Sequence, residues 1–537
     1  MTKVYFFILL TCAPGLNTFG QILTDSNLPI VIIDTHGQTI QDDPRIIVDL
    51  GIIDNGYGNR NYVIDPKNNF NGQVAIEIRG STSQQYPKKS YGFETKDSLL
   101  NDSNVSLLGM PEENDWILYG PYPDKSLLRN TFAYYVFNRM GHYSSRTKHV
   151  ELVRNGGYRG VYELQEKIKR DDNRVDIAKL TTADTTGDSL TGGYIIKIDK
   201  TTGTGTEFWY SAYDSLVFFQ YHYPVDTVLA QVQKDYIQNY VNGFETALLS
   251  PQFADPDSGY IAYIDVQSFI DFFLIQELGR TVDGYRSSCY MYKDKDSRGG
   301  KLTMGPLWDF NLSFGNCNYC AAYDTTGYQY EYNTICSYDP HVPFWWGRLL
   351  QDPTYADAMQ CRWQQLRESF LNTDSVNAWI DSMASYLDES QQRNFQKWPI
   401  IGQYIDWNYF IGQTYQEEID YLKDWIAARS TWLDNNLPGV CDLYTSVNTN
   451  QSKVSCTFYP NPFSGSVTIK VSPGNQLHDE MQLNIYDGPG RKVYSRNFSF
   501  TGGAYKEKLK VDINPGVYFY SLSGAGYEAV TGKLVVH

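Results

Sequence analysis

Charge is scarce in this chain, and basic residues nowhere form a run. Lys and Arg together number 45 against 61 Asp and Glu, and charged residues make up only 20% of the 537 positions. The formal net charge is -16 and the pI is near 4.9. A surface that follows a phosphate backbone needs clustered cations. The sequence therefore excludes nucleic acid as a partner, and its acidic surface favours solubility.

Long hydrophobic segments are also missing. The chain opens with M-T-K and then V-Y-F-F-I-L-L-T-C-A, one cation followed by a short apolar run, which is typical of a secretory signal peptide. We expect residues 1–20 to be that signal, with a lipoprotein signal ending at Cys12 as the alternative. No other stretch approaches the length of a membrane helix, so the mature chain is expected to have no membrane span.

Complete metal-binding motifs are absent as well. Cys317 and Cys320 form a C-x-x-C pair, but no second pair or nearby histidine pair completes a zinc site. Residues 294–300 resemble a calcium loop, yet Gly305 stands where an EF-hand needs Glu. In an oxidising compartment the cysteines should mostly pair, and the seven that remain without Cys12 leave at least one free. We expect a structural disulfide within residues 317–336 that involves Cys336, with its partner left open.

Aromatic residues are abundant, with 44 Tyr, 26 Phe and 11 Trp. This balance is more typical of exported, β-rich or carbohydrate-exposed proteins than of cytosolic enzymes. The length predicts two or three domains, a large core and an accessory module.

The order of local patterns predicts an α+β core with a mixed sheet first and helices later. β-branched runs predict strands at residues 28–35, 45–53, 73–80 and 191–200, and a hairpin turns at Asn155 and Gly156. Apolar spacing predicts helices at 124–140, ending at Gly141, and from the cap Asp265 to Gly279, with mostly helical structure over 343–437. We assign residues 21–444 to the core, 445–454 to a polar linker and 455–537 to a small all-β sandwich.

Two isolated acids are the first candidates for chemistry. A predicted hairpin over residues 293–315 carries Asp309 in a Trp-Asp-Phe setting, and Asp283 lies in the loop after the Asp265 helix. A rigid, partly desolvated carboxylate at a strand end can hold a divalent metal in enzymes that use nucleotides, which makes phosphoryl transfer the first hypothesis. The alternative is structural, because Asp also forms turns and caps loops.

The C-terminal segment resembles the C-terminal sorting domain of the type IX secretion system of Bacteroidetes. The motifs that carry this resemblance are Y-P-N-P-F at 459–463, Y-D-G-P-G-R-K-V at 486–493, P-G-V-Y-F-Y at 515–520 and G-K-L-V at 532–535. It implies export through the periplasm and the outer membrane by the type IX machinery, to the cell surface or the extracellular space.

The larger part resembles the CotH family, which are spore-coat-H-like atypical protein kinases. Five blocks in order carry this resemblance, at residues 76–94, 108–130, 160–168, 192–199 and 306–315. It implies a divergent protein-kinase-like core that phosphorylates Ser or Thr of a protein substrate with ATP and Mg²⁺ or Mn²⁺. By the same resemblance Asp309 binds metal, Asp283 is catalytic, and Arg79, Ser81 and Ser83 form a phosphate-binding turn.

Other candidate site residues follow from charge and position. Asn311 stands where relatives carry a second Asp, and its amide oxygen can still coordinate a metal. Lys88 and Lys89 begin the next strand and can neutralise phosphate, although only one can face inward and both can be an exposed edge pair. Glu166 and Lys167 end the Asn155 hairpin, where they can pair with a phosphate-binding lysine or with each other.

One physical objection favours a different class of function. ATP is scarce outside the cell, and the sorting domain sends the protein there. The alternative to a kinase is therefore an inactive kinase-derived scaffold at the cell surface that binds glycan or protein. A further possibility is that phosphorylation takes place in the periplasm before export.

Overall fold

The computed structural model describes residues 22–201, 207–336, 340–441, 455–472, 480–487, 491–499, 505–511, 513–524 and 527–537. The predicted signal peptide and the predicted linker lie outside these residues. The chain divides into two compact units, the first ending at Val440 and the second beginning at Cys441.

The first unit is α+β, as the sequence predicted. Its strands are β1 (Asp25–Ser26), β2 (Ile30–Asp34), β3 (Ile46–Ile53), β4 (Asn61–Tyr62), β5 (Phe70–Arg79), β6 (Ser90–Thr95), β7 (Asp115–Tyr119), β8 (Thr147–Arg154), β9 (Gly157–Glu166), β10 (Tyr194–Ile198), β11 (Phe208–Tyr210), β12 (Phe218–Tyr223), β13 (Cys289–Lys293) and β14 (Leu302–Met304). Its helices are α1 (Arg129–Met140), α2 (Gln231–Leu249), α3 (Val266–Gly279), α4 (Tyr332–Ile335), α5 (Trp345–Leu349), α6 (Pro353–Arg367), α7 (Thr373–Tyr386), α8 (Asp388–Lys397) and α9 (Tyr415–Asn436).

Seven strands close into a barrel in the order β2-β3-β5-β6-β7-β9-β8. Neighbours are antiparallel except β2 and β8, which run parallel with Ile30 opposite Glu151. Alternate residues of these strands point inward and are almost fully buried, for example Val48, Leu50 and Ile76. The predicted mixed sheet is confirmed. Its closure into a barrel was not predicted, because the pattern of residues along a strand does not reveal whether the sheet closes.

A second sheet has five antiparallel strands in the order β11-β12-β10-β13-β14. Tyr194, Ile196 and Ile198 of β10 pack into the large core that these strands share with the helices. Because strand side chains alternate, Lys197 and the following Asp199 point to the opposite face. That face carries the candidate site.

Helix α3 begins and ends where the sequence predicted. The Asp265 carboxylate accepts a hydrogen bond from the backbone N–H of Ser268 at 2.7 Å, and the chain leaves the helix through Arg280 in the left-handed region at φ 40°. Gly279 is packed closely, since an added Cβ would lie 2.8 Å from Oγ1 of Thr281. The loop that follows carries Asp283, as predicted.

Three other local predictions are confirmed with changes in their bounds. The Asn155-Gly156 turn has the positive φ values, 51° and 73°, of a tight hairpin. Helix α1 begins five residues later than predicted, because the Asp124 carboxylate instead accepts from the backbone N–H of Arg129 at 2.9 Å. Strands β13 and β14 form the predicted hairpin, but β14 ends at Met304 and Asp309 lies in the next loop.

The cysteines pair as expected around Cys336. A disulfide joins Cys320 to Cys336, and Cys361 and Cys441 are also disulfide-bonded. Cys317 keeps a free, buried thiol, so the C-x-x-C pair is not itself a disulfide.

The second unit is all-β, which confirms that prediction. Its two antiparallel sheets have the strand orders β15-β16-β19 and β18-β17-β20-β21. The strands are β15 (Ser455–Tyr459), β16 (Ser466–Ser472), β17 (Glu480–Tyr486), β18 (Lys492–Ser499), β19 (Tyr505–Lys510), β20 (Gly516–Gly524) and β21 (Tyr527–Val536). In either unit, no helix among the described residues has the length and apolar character to cross a membrane.

Candidate active site

A cavity of about 690 Å³ opens between the barrel and the five-stranded sheet of the first unit. The barrel contributes the end of β5, the turn at 80–83 and part of β7. The sheet side contributes the end of β10, the loop at 283–288, residue 290 of β13 and the loop at 308–312. The volume lies in the range that accommodates a small organic ligand.

Asp309 is held by helix α1 in an uncommon backbone conformation. Its φ is 65°, in the left-handed region, and its backbone N–H donates to the Tyr134 hydroxyl at 3.1 Å. The next N–H, of Phe310, donates to the Asn130 side chain at 2.8 Å. These two hydrogen bonds turn the Asp309 carboxylate towards the cavity. A non-glycine residue held in this region often has a functional role.

Asp283 reaches the same cavity from the loop after α3. Its carbonyl accepts from the backbone N–H of Arg286 and of Ser287, which closes a tight turn. Nη2 of Arg286 donates to one carboxylate oxygen of Asp283 at 2.8 Å. Arg286 is itself anchored by the carbonyls of Val282 and Pro340. Burial raises the pKa of Asp283, while Arg286 opposes that rise.

The two acids influence each other electrostatically. Burial, and then the negative charge of Asp283, raise the pKa of Asp309 to about 6. Lys200 and Arg79 act in the opposite direction. Asp283 and Asp309 therefore share one electrostatic environment, in which an added cation would relieve their repulsion.

Two cations at the cavity have no carboxylate partner among the described residues. The guanidinium of Arg79, at the end of β5, lies 5.4 Å from the centre of the Trp308 ring, and burial lowers its pKa. The ammonium of Lys200, just after β10, is exposed and forms no ion pair in the part of the chain that the structure describes. Both charges are available to an anionic ligand.

Sequence reasoning missed a polar pair on β10. Nζ of Lys197 lies 2.7 Å from a carboxylate oxygen of Asp199, and the other oxygen accepts from the Ser287 hydroxyl at 2.9 Å. These contacts tie β10 to the loop that carries Asp283. The signal was present in Y-I-I-K-I-D-K, where a lysine and an acid share the face of β10 opposite Ile196.

Most of the predicted site residues line the cavity. They are Arg79, Ser81, Ser83, Lys167, Asp283, Asp309 and Asn311. The turn at 80–83 favours glycine at its start, because Gly80 has φ 110°, a conformation that other residues rarely adopt, and an added Cβ would also meet the Ser83 hydroxyl. Lys167 lies 3.5 Å from Asp115 across the cavity wall.

Three predicted residues lie outside the cavity. Lys88 is 2% exposed, its ammonium donates to the Asn394 side chain at 2.9 Å, and burial lowers its pKa to about 7. The ammonium of Lys89 donates to the Gln84 carbonyl and faces a different cavity. Glu166 is buried in ion pairs with Arg146 and Arg174 at 2.8 and 3.1 Å. Both lysines precede β6, which begins at Ser90, so they do not begin that strand as predicted. They face different surroundings, and neither faces the acids.

The donor set suits a divalent cation that a substrate helps to hold. No group of three His, Cys, Asp or Glu side chains among the described residues is placed to bind a metal. The Asp309 carboxylate has no hydrogen-bond donor to its oxygens there, and the Asn311 side chain lines the same cavity. Mg²⁺ commonly takes one or two protein oxygens and completes its shell with phosphate oxygens and water. These residues fit that arrangement.

Comparison with known proteins identifies the second unit. Residues 457–537 match the family described as "Secretion system C-terminal sorting domain". This match implies the type IX secretion machinery as a partner and supports export to the cell surface or the extracellular space.

Likenesses to solved structures are local and weak. A crystal structure of dimeric latent PorU from Porphyromonas gingivalis is 22% identical, with a TM-score of 0.14, and the match covers 16% of this chain and 9% of that one. A β-glucosidase from Listeria innocua in complex with glucose is 10% identical, with a TM-score of 0.12, and the match covers 16% of each chain. Neither carries an argument about this chain.

The first unit is identified by its own family match. No curated protein matches the sequence. Residues 76–433 match the family described as "CotH kinase protein", and this range includes the turn at Gly80 and both cavity acids. Since the match covers more than half of the 537 residues, the chain belongs to the CotH kinase protein family.

Proposed function

We propose that this chain is a secreted, CotH-like atypical protein kinase that transfers the γ-phosphoryl group of ATP to Ser or Thr hydroxyls of a protein substrate. The observation that carries the proposal is one cavity in which two carboxylates that influence each other, Asp283 and Asp309, face two cations, Arg79 and Lys200, that have no ion-pair partner among the described residues. Phosphoryl transfer needs this combination, since catalysis depends on positioning and on charge stabilisation. The barrel and the helical half then act as the two parts of a divergent kinase-like core.

The cations would bind the triphosphate. Within the described part of the chain, Arg79 and Lys200 have no ion pair to give up, so little energy is lost when they meet phosphate oxygens. The Gly80 turn brings Ser81 and Ser83 to the same wall, where hydroxyl and backbone N–H groups can donate to phosphate. Lys167 contributes a further positive charge at the edge of the cavity.

Asp309 and Asn311 would hold Mg²⁺ or Mn²⁺. The bound metal would neutralise charge on the phosphate oxygens during transfer. Asp309 is suited to this role because burial and the nearby Asp283 charge destabilise its carboxylate, as its raised pKa reflects. A bound cation would stabilise that carboxylate. Its backbone is fixed by α1, which limits the loss of freedom on binding.

Asp283 would orient the acceptor hydroxyl and take its proton. Arg286 holds one carboxylate oxygen, so the second oxygen is left for the substrate. The acceptor oxygen forms a bond to the γ-phosphorus, the bond from that phosphorus to the β–γ bridging oxygen breaks, and ADP leaves. The pKa of Asp283 is raised towards the range in which a carboxylate can accept that proton.

Transfer of phosphate labels tests the proposal directly. The mature full-length protein, incubated with γ-labelled ATP, Mn²⁺ and an acidic acceptor protein such as casein, should label the acceptor or itself. Asp309→Ala should abolish labelling, whereas Asp257→Ala, which changes an exposed acid outside the cavity, should not. Nucleotide binding without transfer would indicate a pseudokinase. No binding of ATP would favour the scaffold that holds glycan or protein.

The proposal also concerns the compartment in which phosphorylation takes place. Export by the type IX route takes the chain through the periplasm, and phosphorylation there would precede release to a compartment poor in ATP. Comparing phosphorylation of periplasmic and extracellular proteins in strains with and without Asp309→Ala would locate the step.

A further inference from the structure

A second cavity, of about 450 Å³, lies on the barrel. The described residues that line it include Lys89 of the segment before β6, Arg154 at the end of β8, Arg159 and Tyr162 of β9, and Trp398 after α8. We call it the basic pocket. It shares only Ile78 with the residues that line the candidate active site.

The basic pocket concentrates positive charge in an acidic protein. Lys89, Arg154 and Arg159 line it, and no Asp or Glu does so among the described residues. None of the three cations lies within ion-pair distance of a carboxylate in the described ranges. The rest of the chain carries a net excess of acids, so this local imbalance is not a consequence of composition.

The hydrogen bonds of these cations leave capacity for a ligand. The Arg154 guanidinium donates to the Tyr91 hydroxyl at 2.7 Å, and the Lys89 ammonium donates to the Gln84 carbonyl. Nε of Arg159 is buried and has no hydrogen-bond partner in the described structure. An unpaired buried donor is costly, and a bound anion would remove that cost.

Repulsion between Arg154 and Arg159 also favours an anionic ligand. Burial and the nearby charge of Arg154 lower the pKa of Arg159. Two neighbouring guanidinium groups with no carboxylate partner in the described ranges favour an oxyanion that both can contact, because charge-assisted hydrogen bonds to such a group are strong.

Aromatic side chains line the pocket beside these cations. The rings of Tyr91 and Tyr162 stack with centroids 6.3 Å apart, and the Trp398 indole donates to the Arg159 carbonyl at 2.7 Å. Gly160 allows this close approach, since a Cβ there would lie 2.9 Å from the indole nitrogen. Tyr91 and Tyr162 are only 2% and 1% exposed, so the half-buried Trp398 indole is the aromatic surface beside the cations that a ring bearing a negative group can contact.

We propose that the basic pocket binds a small organic anion in which a carboxylate or phosphate group is attached to a sugar-sized ring. The anionic group contacts Arg154 and Arg159, and the ring lies against Trp398. Binding here is separate from phosphoryl transfer and does not depend on the proposed kinase activity.

Isothermal titration calorimetry of the mature full-length protein tests this site. The probes are glucuronate, glucose 6-phosphate, neutral glucose and inorganic phosphate. We expect at least one of the two anionic sugars to bind, and neutral glucose to bind about tenfold more weakly or worse. Added salt should weaken the anionic sugars, since the contacts are ionic and partly exposed. The two anionic sugars distinguish carboxylate from phosphate as the favoured group.

Substitutions then assign the binding to this pocket. Arg159→Gln should reduce affinity for the anionic sugar about tenfold or more, while Arg298→Gln, a change at an exposed arginine of another loop, should leave it unchanged. If Arg159→Gln does not fold, as judged by circular dichroism, Arg154→Gln serves the same purpose. Equal binding by wild type and both pocket variants, or no anionic sugar bound at about 10 mM, would overturn the proposal. Equal affinity for inorganic phosphate and glucose 6-phosphate would overturn the ring-bearing ligand.

Discussion

The guanidinium of Arg79 lies over the ring of Trp308, with its carbon 5.4 Å from the ring centre. Arg79 ends barrel strand β5, and Trp308 precedes the acid Asp309 in the loop after β14. This cation–π contact therefore joins the predicted phosphate-binding turn to the predicted metal-binding loop. It orients an arginine that has no carboxylate partner among the described residues towards the cavity.

Replacing Arg79 tests its role in nucleotide binding. Arg79→Gln should weaken ATP binding about tenfold or more, because a charge-assisted contact to phosphate is lost. Calorimetric titration with ATP and Mn²⁺ measures the change, and Arg298→Gln serves as the matched control. An unchanged dissociation constant would show that Arg79 does not contact the phosphates.

The raised pKa of Asp309 predicts a particular dependence of stability on pH. Its folded value of about 6 lies above the usual value of 3.8, so the folded chain holds more protons than the unfolded chain between these values. The contribution of Asp309 to the free energy of unfolding should therefore fall as the pH rises from about 4 to about 6. Urea unfolding of wild type and Asp309→Asn across this range, taken as a difference, isolates the effect. A difference that does not vary with pH would contradict the raised pKa.

The same pKa predicts how metal binding responds to pH. Mn²⁺ competes with the proton for Asp309, so its apparent affinity should rise with pH and level off above about pH 6. Thermal shifts with Mn²⁺ and ATP at several pH values measure this. Asp309→Asn should remove most of the shift at every pH, whereas Asp257→Ala should retain it. A Mn²⁺ shift that is full below pH 5, about one unit under that pKa, would place the metal elsewhere.

Asp283 should affect turnover more than binding. Asp283→Asn keeps an oxygen that can accept from Arg286 but removes the negative charge, so kcat should fall about a hundredfold or more while ATP affinity changes little. The pKa of Asp309 should also decrease, since the repulsion from Asp283 is gone. Steady-state kinetics together with calorimetry measure both effects. Equal losses in kcat and in ATP affinity would assign Asp283 to binding.

A buried ion pair should control the stability of the helical half. Nη2 of Arg429 lies 2.9 Å from Glu277, both side chains are fully enclosed, and Glu277 also accepts from the backbone N–H of Gln329 and of Tyr330. Arg429→Met should lower the free energy of unfolding by about 3–5 kcal/mol, because it leaves a buried carboxylate without its charge partner.

The matched control for that change is an ion pair near the surface. Lys423 lies 2.7 Å from Asp381, whose side chain is 55% exposed. Lys423→Met should cost no more than about 1 kcal/mol. Urea unfolding of both variants gives the comparison. Similar losses of unfolding free energy in the two variants would show that the buried Arg429–Glu277 pair contributes no more to stability than the exposed pair.

Local features were predictable because neighbouring residues decide them. Asp265 caps α3 through a backbone N–H three residues away, and Asn155 with Gly156 forms a turn whose geometry those two residues fix. The loop position of Asp283 followed from the end of that helix. The sequence predicted that Asp309 ends a strand of the β13–β14 hairpin. It lies instead in the loop after β14, because the sequence does not reveal that the pairing of β14 stops at Met304.

The assignment of the lysines was less predictable. Alternation indicated that Lys88 and Lys89 face opposite ways, yet it does not say what each face meets. Asn394 of α8, distant in sequence, accepts from Lys88. Lys197 of β10 and Asp199 just after it line the cavity instead.

The sequence by itself determined the two-part organisation, the order of a sheet before most of the helices, the acids and the glycine turn, since each depends on periodicity or on contacts within a few positions. Only the tertiary structure decided that the first sheet closes into a barrel and that Arg79, Lys200, Asp283 and Asp309 share one cavity. Those relationships join segments far apart in the chain. They arise from the packing of whole elements around a common core, which no local pattern encodes.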